Sequence, residues 1–118
     1  MDFEPSAEQR MLTEAVRKLG ERYDRAWWRA RVEAGEGPDE LWAELARGGY
    51  LGLLIPEAHG GAGLGMLEME LVMEQLAGNG TPLLFLVVSA VMGTLALVRH
   101  GTDEQRRRFL PDLAAGRT

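Results

Sequence analysis

The chain contains no cysteine. That excludes a disulfide framework, a thiolate metal site and a cysteine nucleophile. Nor is there a surplus of positive charge: Lys and Arg total 13 against 18 Asp and Glu, for a formal net charge of −5. Nucleic-acid binders need a basic surface for their phosphate contacts, so this balance argues against that class of partner. The two histidines, His59 and His100, stand alone in different segments with no metal-ligand spacing around them. No metal site is expected. The opening stretch MDFEPSAEQR is acidic and polar and does not read as a signal peptide. With the missing cysteines, it fits a cytoplasmic protein. No internal repeat, low-complexity segment or clear strand pair interrupts the pattern.

A long hydrophobic run is also lacking, although one stretch comes near. Residues 82–98 carry no charged side chain. As a helix they would reach about 25 Å at 1.5 Å per residue. A bilayer core is about 30 Å thick and needs roughly 20 apolar residues. Ser89, Gly93 and Thr94 dilute the run further. The expectation is a helix in the middle of a bundle, with no membrane partner.

What is present is ordinary for a globular domain: 118 residues, 46% apolar and 26% charged. That length favours one domain and buries roughly two-thirds of the surface of the unfolded chain. Ser6 followed by Gln9 predicts a capping box. From there Leu12, Ala15, Val16, Leu19 and Tyr23 recur at helical spacing, predicting a first helix that runs to about Glu33. Pro38 and Asp39 open a short second helix with Leu41, Trp42 and Leu45 on its apolar side, ended by Gly48 and Gly49. Tyr50 to Pro56 is apolar and short, a strand or a buried extended connection, and Pro56 argues against a central strand. Leu67, Leu71, Val72, Gln75 and Leu76 set the period of a third helix ending near Gly78 to Gly80. Pro82 starts a fourth that reaches about His100. Thr102 and Gln105 repeat the capping-box pattern for a last helix, which Pro111 interrupts or ends. The fold class expected is all-α, a bundle of about five helices.

Between the second and third helices lies GLLIPEAHGGAGLG, with glycines at 60, 61, 63 and 65. Glycine-rich loops often cradle phosphates, but this one lacks the required patterns. A dinucleotide fingerprint counted from Gly61 and Gly63 needs a third glycine where Met66 stands, and a P-loop needs Lys then Ser or Thr after Gly65. A tight turn packed close to its neighbours is the simpler reading. Glu70 and Glu74 share a helix face and could form an acid–base pair, but such carboxylates are more often solvated or salt-bridged. Arg106, Arg107 and Arg108 read as a solvated or paired basic run. Trp27, Trp28 and Trp42 read as core or interface anchors.

Taken in order, these segments resemble one family. EQRMLTEAVRKL is similar to the opening helix of the acyl-CoA dehydrogenases. LWAELARGGYLGLLIPEAHGGAGLGMLEMELVMEQL is similar to that family's helix, apolar turn, Pro-Glu-x-x-Gly-Gly segment and next helix. GTDEQRRRFLPDLAAG is similar to its Gly-Thr-x-x-Gln … Leu-Pro segment. His59 is a minor departure, since the family often has an aromatic there. The resemblance covers nearly the whole chain and implies that residues 1–118 are the N-terminal α domain alone, with the β domain and the C-terminal helical domain absent.

By the resemblance, the reaction is α,β-dehydrogenation of an acyl-CoA thioester with FAD. The FAD is held mainly by the absent domains and a neighbouring subunit, and the catalytic glutamate lies in the last domain. Glu57, Glu68, Glu70 and Glu74 are then not the base, and this chain has no catalytic and no cofactor-binding residue. Its part would be a wall of the acyl pocket, formed by Val88, Ser89 and Met92 on the fourth helix. The partners implied are the acyl-CoA substrate, the missing domains, and further subunits of a homo- or hetero-oligomer. A related acyl-CoA oxidase or flavin monooxygenase, a non-catalytic partner subunit, and a stand-alone helical interaction module remain as alternatives.

Overall fold

The structure, a computed structural model, describes residues 3–117, and all regular structure among them is helical. The helices are α1 (Ala7–Glu21), α2 (Arg25–Ala34), α3 (Asp39–Arg47), α4 (Met66–Gly78), α5 (residues 84–100) and α6 (Asp103–Ala114), with a 3₁₀ turn at Glu57–His59. The all-α class expected from the sequence is what forms.

Both predicted capping boxes are present. Ser6 Oγ accepts from the Gln9 amide at 3.1 Å, and Gln9 Oε1 accepts from the Ser6 amide at 2.9 Å. Thr102 and Gln105 make the same pair at 3.1 and 2.9 Å ahead of α6. The single first helix to Glu33 is instead two helices. The chain breaks after Glu21, and the Asp24 carboxylate accepts from the Trp27 amide at 3.0 Å to cap α2. Aspartate at that position satisfies a backbone donor the new helix leaves free.

The break turns a row of aromatics inward. Tyr23 meets Trp27 edge-on at 4.8 Å, Trp27 meets Trp28 at 5.3 Å, and Phe85 of α5 lies 5.7 Å from Trp28 and 6.1 Å from Trp42. Trp28 Nε1 donates to Thr81 Oγ1 at 3.3 Å and Trp42 Nε1 to the Gly116 carbonyl at 3.0 Å. All three tryptophans therefore pack against the main core, and two of the three ring N–H groups have partners in place of the water they leave.

That core joins Val16 and Leu19 of α1, Leu41 and Leu45 of α3, Met69, Val72 and Leu76 of α4, and Leu86, Ala90 and Val91 of α5. On α4 the inward stripe is Met69, Val72 and Leu76, while Leu67 is exposed. A smaller cluster of Ile55, Leu110 and Ala114 seats α6. The apolar segment after α3 is neither a strand nor extended. It coils through consecutive turns, with Leu53 N donating to Tyr50 O and Ile55 N to Gly52 O. Turning puts Leu51, Leu53, Leu54 and Ile55 all inside, whereas an extended strand would send alternate side chains outward.

Pro111 does not end α6, which continues to Ala114. A proline inside a helix costs about 3 kcal/mol through the lost backbone bond and the crowding of its ring, and burial of Leu110 and Ala114 on either side offsets that cost. The α5 helix begins at Leu84, two residues after Pro82, and reaches His100 as expected. Its middle, Val87–Gly93, is a π-helix. The domain is a slab, 42 × 41 × 19 Å. Among the described residues, no helix is long and apolar enough to cross a membrane.

Candidate functional site

The outer face of α5 carries the residues expected to form a pocket wall. Val88 is 55% exposed and Met92 62%, and Leu84, one turn earlier, is 73% exposed. Each stands four residues from the next, so they share a face. Ala96 continues the series and is exposed as well. The opposite face, with Leu86, Ala90 and Thr94, is buried in the core. The helix thus presents an uncharged apolar stripe outward while its other side anchors it.

Ser89 stands apart from that stripe. It is half-buried, its hydroxyl donates to the Phe85 carbonyl, and it borders a cavity of about 10 Å³ with Trp42, Leu51, Ala90, Thr94 and Leu113. The structure therefore brings Val88 and Met92 together and sets Ser89 against the interior. Leu84 and Ala96 were missed from the sequence. Their signal was the strict four-residue spacing.

Local chemistry accounts for the π-helical middle. A serine hydroxyl that bonds the carbonyl four residues back competes with the helical amide for it. Three valines, at 87, 88 and 91, also lower the helical preference of the stretch. Single π turns of this kind occur often at functional sites.

The glycine loop is folded onto itself. The amides of Gly60, Gly61, Ala62, Gly63 and Leu64 donate to the carbonyls of Glu57, Pro56, Gly52, Ile55 and Leu53, at 2.8 to 3.2 Å. The Gly65 amide donates to Glu68 Oε2 at 3.1 Å. Six consecutive donors are thus taken by the chain itself, and a carboxylate occupies the start of α4. Glu68 also lies 3.5 Å from Gln9 Nε2, tying α1 to α4. Gly61 has no room for a side chain, because a Cβ there would lie 2.0 Å from the Ile55 carbonyl oxygen and 2.5 Å from that of Gly52.

The remaining polar residues singled out in the sequence are dispersed. Glu70 and Glu74 are exposed on α4. Arg106 bonds Asp103 at 3.2 Å and the Leu97 carbonyl at 3.3 Å, which clips α6 to the end of α5. Arg108 lies 5.1 Å over the Phe109 ring. No group of three His, Cys, Asp or Glu among the described residues is placed to hold a metal.

Residues 6–117 match the family model described as the acyl-CoA dehydrogenase N-terminal domain. The chain belongs to the acyl-CoA dehydrogenase family. It is 39% identical over 114 residues to acyl-CoA dehydrogenase FadE12 of Mycobacterium tuberculosis, covering 97% of this chain and 29% of that protein. Against mitochondrial isovaleryl-CoA dehydrogenase of Pongo abelii it is 33% identical, covering 94% of this chain and 27% of the relative. A solved structure of the ChsE4–ChsE5 complex from Mycobacterium tuberculosis superposes with a TM-score of 0.72 at 28% identity, over 99% of this chain and 30% of that one. A chain in a solved structure concerning the electron transferring flavoprotein of Acidaminococcus fermentans shares the fold, with a TM-score of 0.78 at 24% identity, over 99% of this chain and 31% of that one. The chain therefore spans less than a third of the length of these relatives.

The family implies a flavin. The residues of the glycine loop do not fit its pyrophosphate, because their amides already have acceptors and Glu68 places negative charge beside them. No step through a flavin is derived from this loop.

Proposed function

We propose that this chain is the N-terminal domain of an FAD-dependent acyl-CoA dehydrogenase and that the outer face of α5 walls the acyl pocket. The observation that carries the reading is the exposed stripe of Leu84, Val88 and Met92 on a helix whose other face is locked in the core. An apolar wall held rigidly from behind is what an acyl chain needs. Each buried methylene of substrate contributes about 0.8 kcal/mol, so the depth of such a wall grades substrates by chain length. Covered by the rest of the protein and by substrate, the same wall keeps water from the reacting carbons. Ser89 acts behind the wall, bonding Phe85 rather than substrate.

The flavin and the base that takes the α proton belong, on this reading, to parts of the longer protein outside residues 1–118. Membership in the family supports this, as does the absence of free amides in the glycine loop. The relative solved as a complex supports assembly with like or related subunits.

The test is Met92→Trp in the longer protein, with kcat/KM measured along a series of straight-chain acyl-CoA thioesters. Added bulk on the stripe is expected to lower activity on long chains by about tenfold or more, with short chains little changed. Equal loss at every length, with a lower melting temperature, would mean that the stripe packs against protein rather than substrate.

A further inference from the structure

Thr94 is a polar residue in an apolar place. It is 1% exposed, and its hydroxyl has no hydrogen-bond partner among the described residues. A buried hydroxyl left unpaired disfavours folding by about fivefold to a hundredfold. Hydroxyl residues inside helices usually escape that cost by bonding the carbonyl four residues back. Thr13 on α1 does so, donating to the Gln9 carbonyl at 2.8 Å, and Ser89 on α5 does so with Phe85. Thr94 does not. It lines the cavity of about 10 Å³ behind α5, with Ser89 and Ala90 of the same helix, Trp42 of α3, Leu51 and Leu113. About 10–15 Å³ of such space holds one water, provided that two to four polar groups surround it. Nothing larger fits. The Trp42 N–H is already given to the Gly116 carbonyl. The Ser89 hydrogen is given to Phe85, but its oxygen keeps acceptor lone pairs.

The backbone adds a third polar group. The π stretch ends at Gly93 and α-helix resumes at Thr94, whose amide donates three residues back to Val91 rather than four back to Ala90. Where i→i+5 bonding gives way to i→i+4 bonding, the step in register skips one carbonyl of the turn before it. Ser89 and Ala90 belong to that turn, and both line the cavity. We infer that this cavity is a binding site for a single water molecule, which accepts from the Thr94 hydroxyl and donates to the Ser89 oxygen and to the carbonyl that the register step skips. Such a water completes the hydrogen bonding of α5 from the core side, so the helix passes from π to α without a buried polar group left over. It also gives Thr94 a reason to be polar. The site lies on the inner side of α5, and it stands whether substrate or protein covers the outer side.

The experiment uses the longer protein that carries this domain. A high-resolution crystal structure of the parent should show one ordered water within about 2.5–3.0 Å of both Thr94 Oγ1 and Ser89 Oγ. A dry cavity, or a Thr94 hydroxyl turned onto a carbonyl of its own helix, overturns the inference. Thermal unfolding of Thr94→Val then tests the energy by its sign. Valine keeps the shape of threonine and removes only the hydroxyl. With a water bound, the variant takes away one of its partners, and Tm should fall by about 2 °C or more. In a dry cavity the variant removes an unpaired buried hydroxyl, and an unchanged or raised Tm overturns the site. Ser89→Ala and the double variant complete a cycle. Ser89→Ala also loses the Phe85 bond, so its own loss decides nothing and the coupling is what is read. The two hydroxyls make no hydrogen bond to each other. Through a shared water, the double variant should lose less than the sum of the single losses. Strictly additive losses overturn the shared site.

Discussion

Replacing Gly61 with alanine should unfold the glycine loop from within. The added Cβ would lie 2.0 Å from the Ile55 oxygen and 2.5 Å from the Gly52 oxygen, both backbone atoms that no rotamer change can move aside. The same two carbonyls accept the Gly63 amide at 2.8 Å and the Ala62 amide at 3.0 Å, so relieving the clash means releasing both bonds. Two hydrogen bonds at about 1 kcal/mol net each and overpacking of about 1–3 kcal/mol give a loss of about 3–5 kcal/mol. Against a typical total of about 5–15 kcal/mol that is severe, and it corresponds to a fall in Tm of roughly 10–20 °C. Two neighbours serve as controls. Gly60 has φ 89° and open space around its Cβ position, so Gly60→Ala carries only the left-handed backbone cost of about 1–2 kcal/mol. Gly65 has φ −112° and meets only the Glu68 carboxylate at 3.4 Å, so Gly65→Ala carries only the cost of alanine at the N-cap of α4, about 0.5–1 kcal/mol. Urea unfolding followed by circular dichroism ranks the three. A Gly61→Ala variant as stable as Gly65→Ala would show that the loop's close approach to its own backbone is not what holds it.

Three further outcomes follow from other parts of the fold. Asp24→Ala should cost about 1 kcal/mol through loss of the cap on α2, and Asp24→Asn should recover most of it; equal losses in both variants would assign the effect to charge instead. Tyr23 and Tyr50 are both raised above the usual tyrosine value, first of all by burial. A raised pKa means that the folded state holds the proton more tightly, so this contribution is intact below about pH 10 and is lost as pH rises through the folded values. Tyrosinate absorbance on alkaline titration should therefore lag behind that of the unfolded chain, and a coincident curve would refute the assignment. The 118-residue chain by itself should not take up FAD in a fluorescence titration; stoichiometric binding at micromolar concentration would direct attention back to residues 60–65.

The parts of the fold that rest on local chemistry were legible in the sequence. Ser6 with Gln9 and Thr102 with Gln105 announce helix starts because the bonds they make span three residues, and both form as expected. The break at Asp24 was hidden because the apolar period of α1 runs smoothly into the Trp27–Trp28 pair, so periodicity alone extends the helix. The cap was visible only as a single aspartate among many charges. The coil of Tyr50 to Pro56 was hidden for the opposite reason: an unbroken apolar run reads alike as strand or buried turn, and the folded-back glycine loop that chooses between them lies later in the chain. The candidate site divides in the same way. Val88 and Met92 share a face in an α-helix and in the observed one, so their pairing was readable. Leu84 and Ala96 continue the same four-residue series and are exposed as well, so their spacing was in the sequence although the pairing stopped at Val88 and Met92.

The slab shape bears on why one helix can serve two purposes. A body 19 Å thick is roughly two helix diameters deep. Each helix in such a layer has one side against the core and another that no part of the same layer can cover. For α1 and α3 the outer side is largely charged, with Arg17 set between Glu14 and Glu21, and Glu44 holding both Arg22 and Arg47. The outer side of α5 carries no charge between Pro82 and Val98. A stripe of large apolar side chains facing water gives up the stabilisation that burial would bring, on the order of 1.5–3 kcal/mol for each Leu, Val or Met. That unrealised burial is available to whatever covers the helix. An acyl chain lying on it and a neighbouring part of the protein docked on it both recover this energy, but only the first does so in proportion to the length of the substrate. A chain-length series on the stripe variants therefore separates the two, where a binding or stability measurement alone does not.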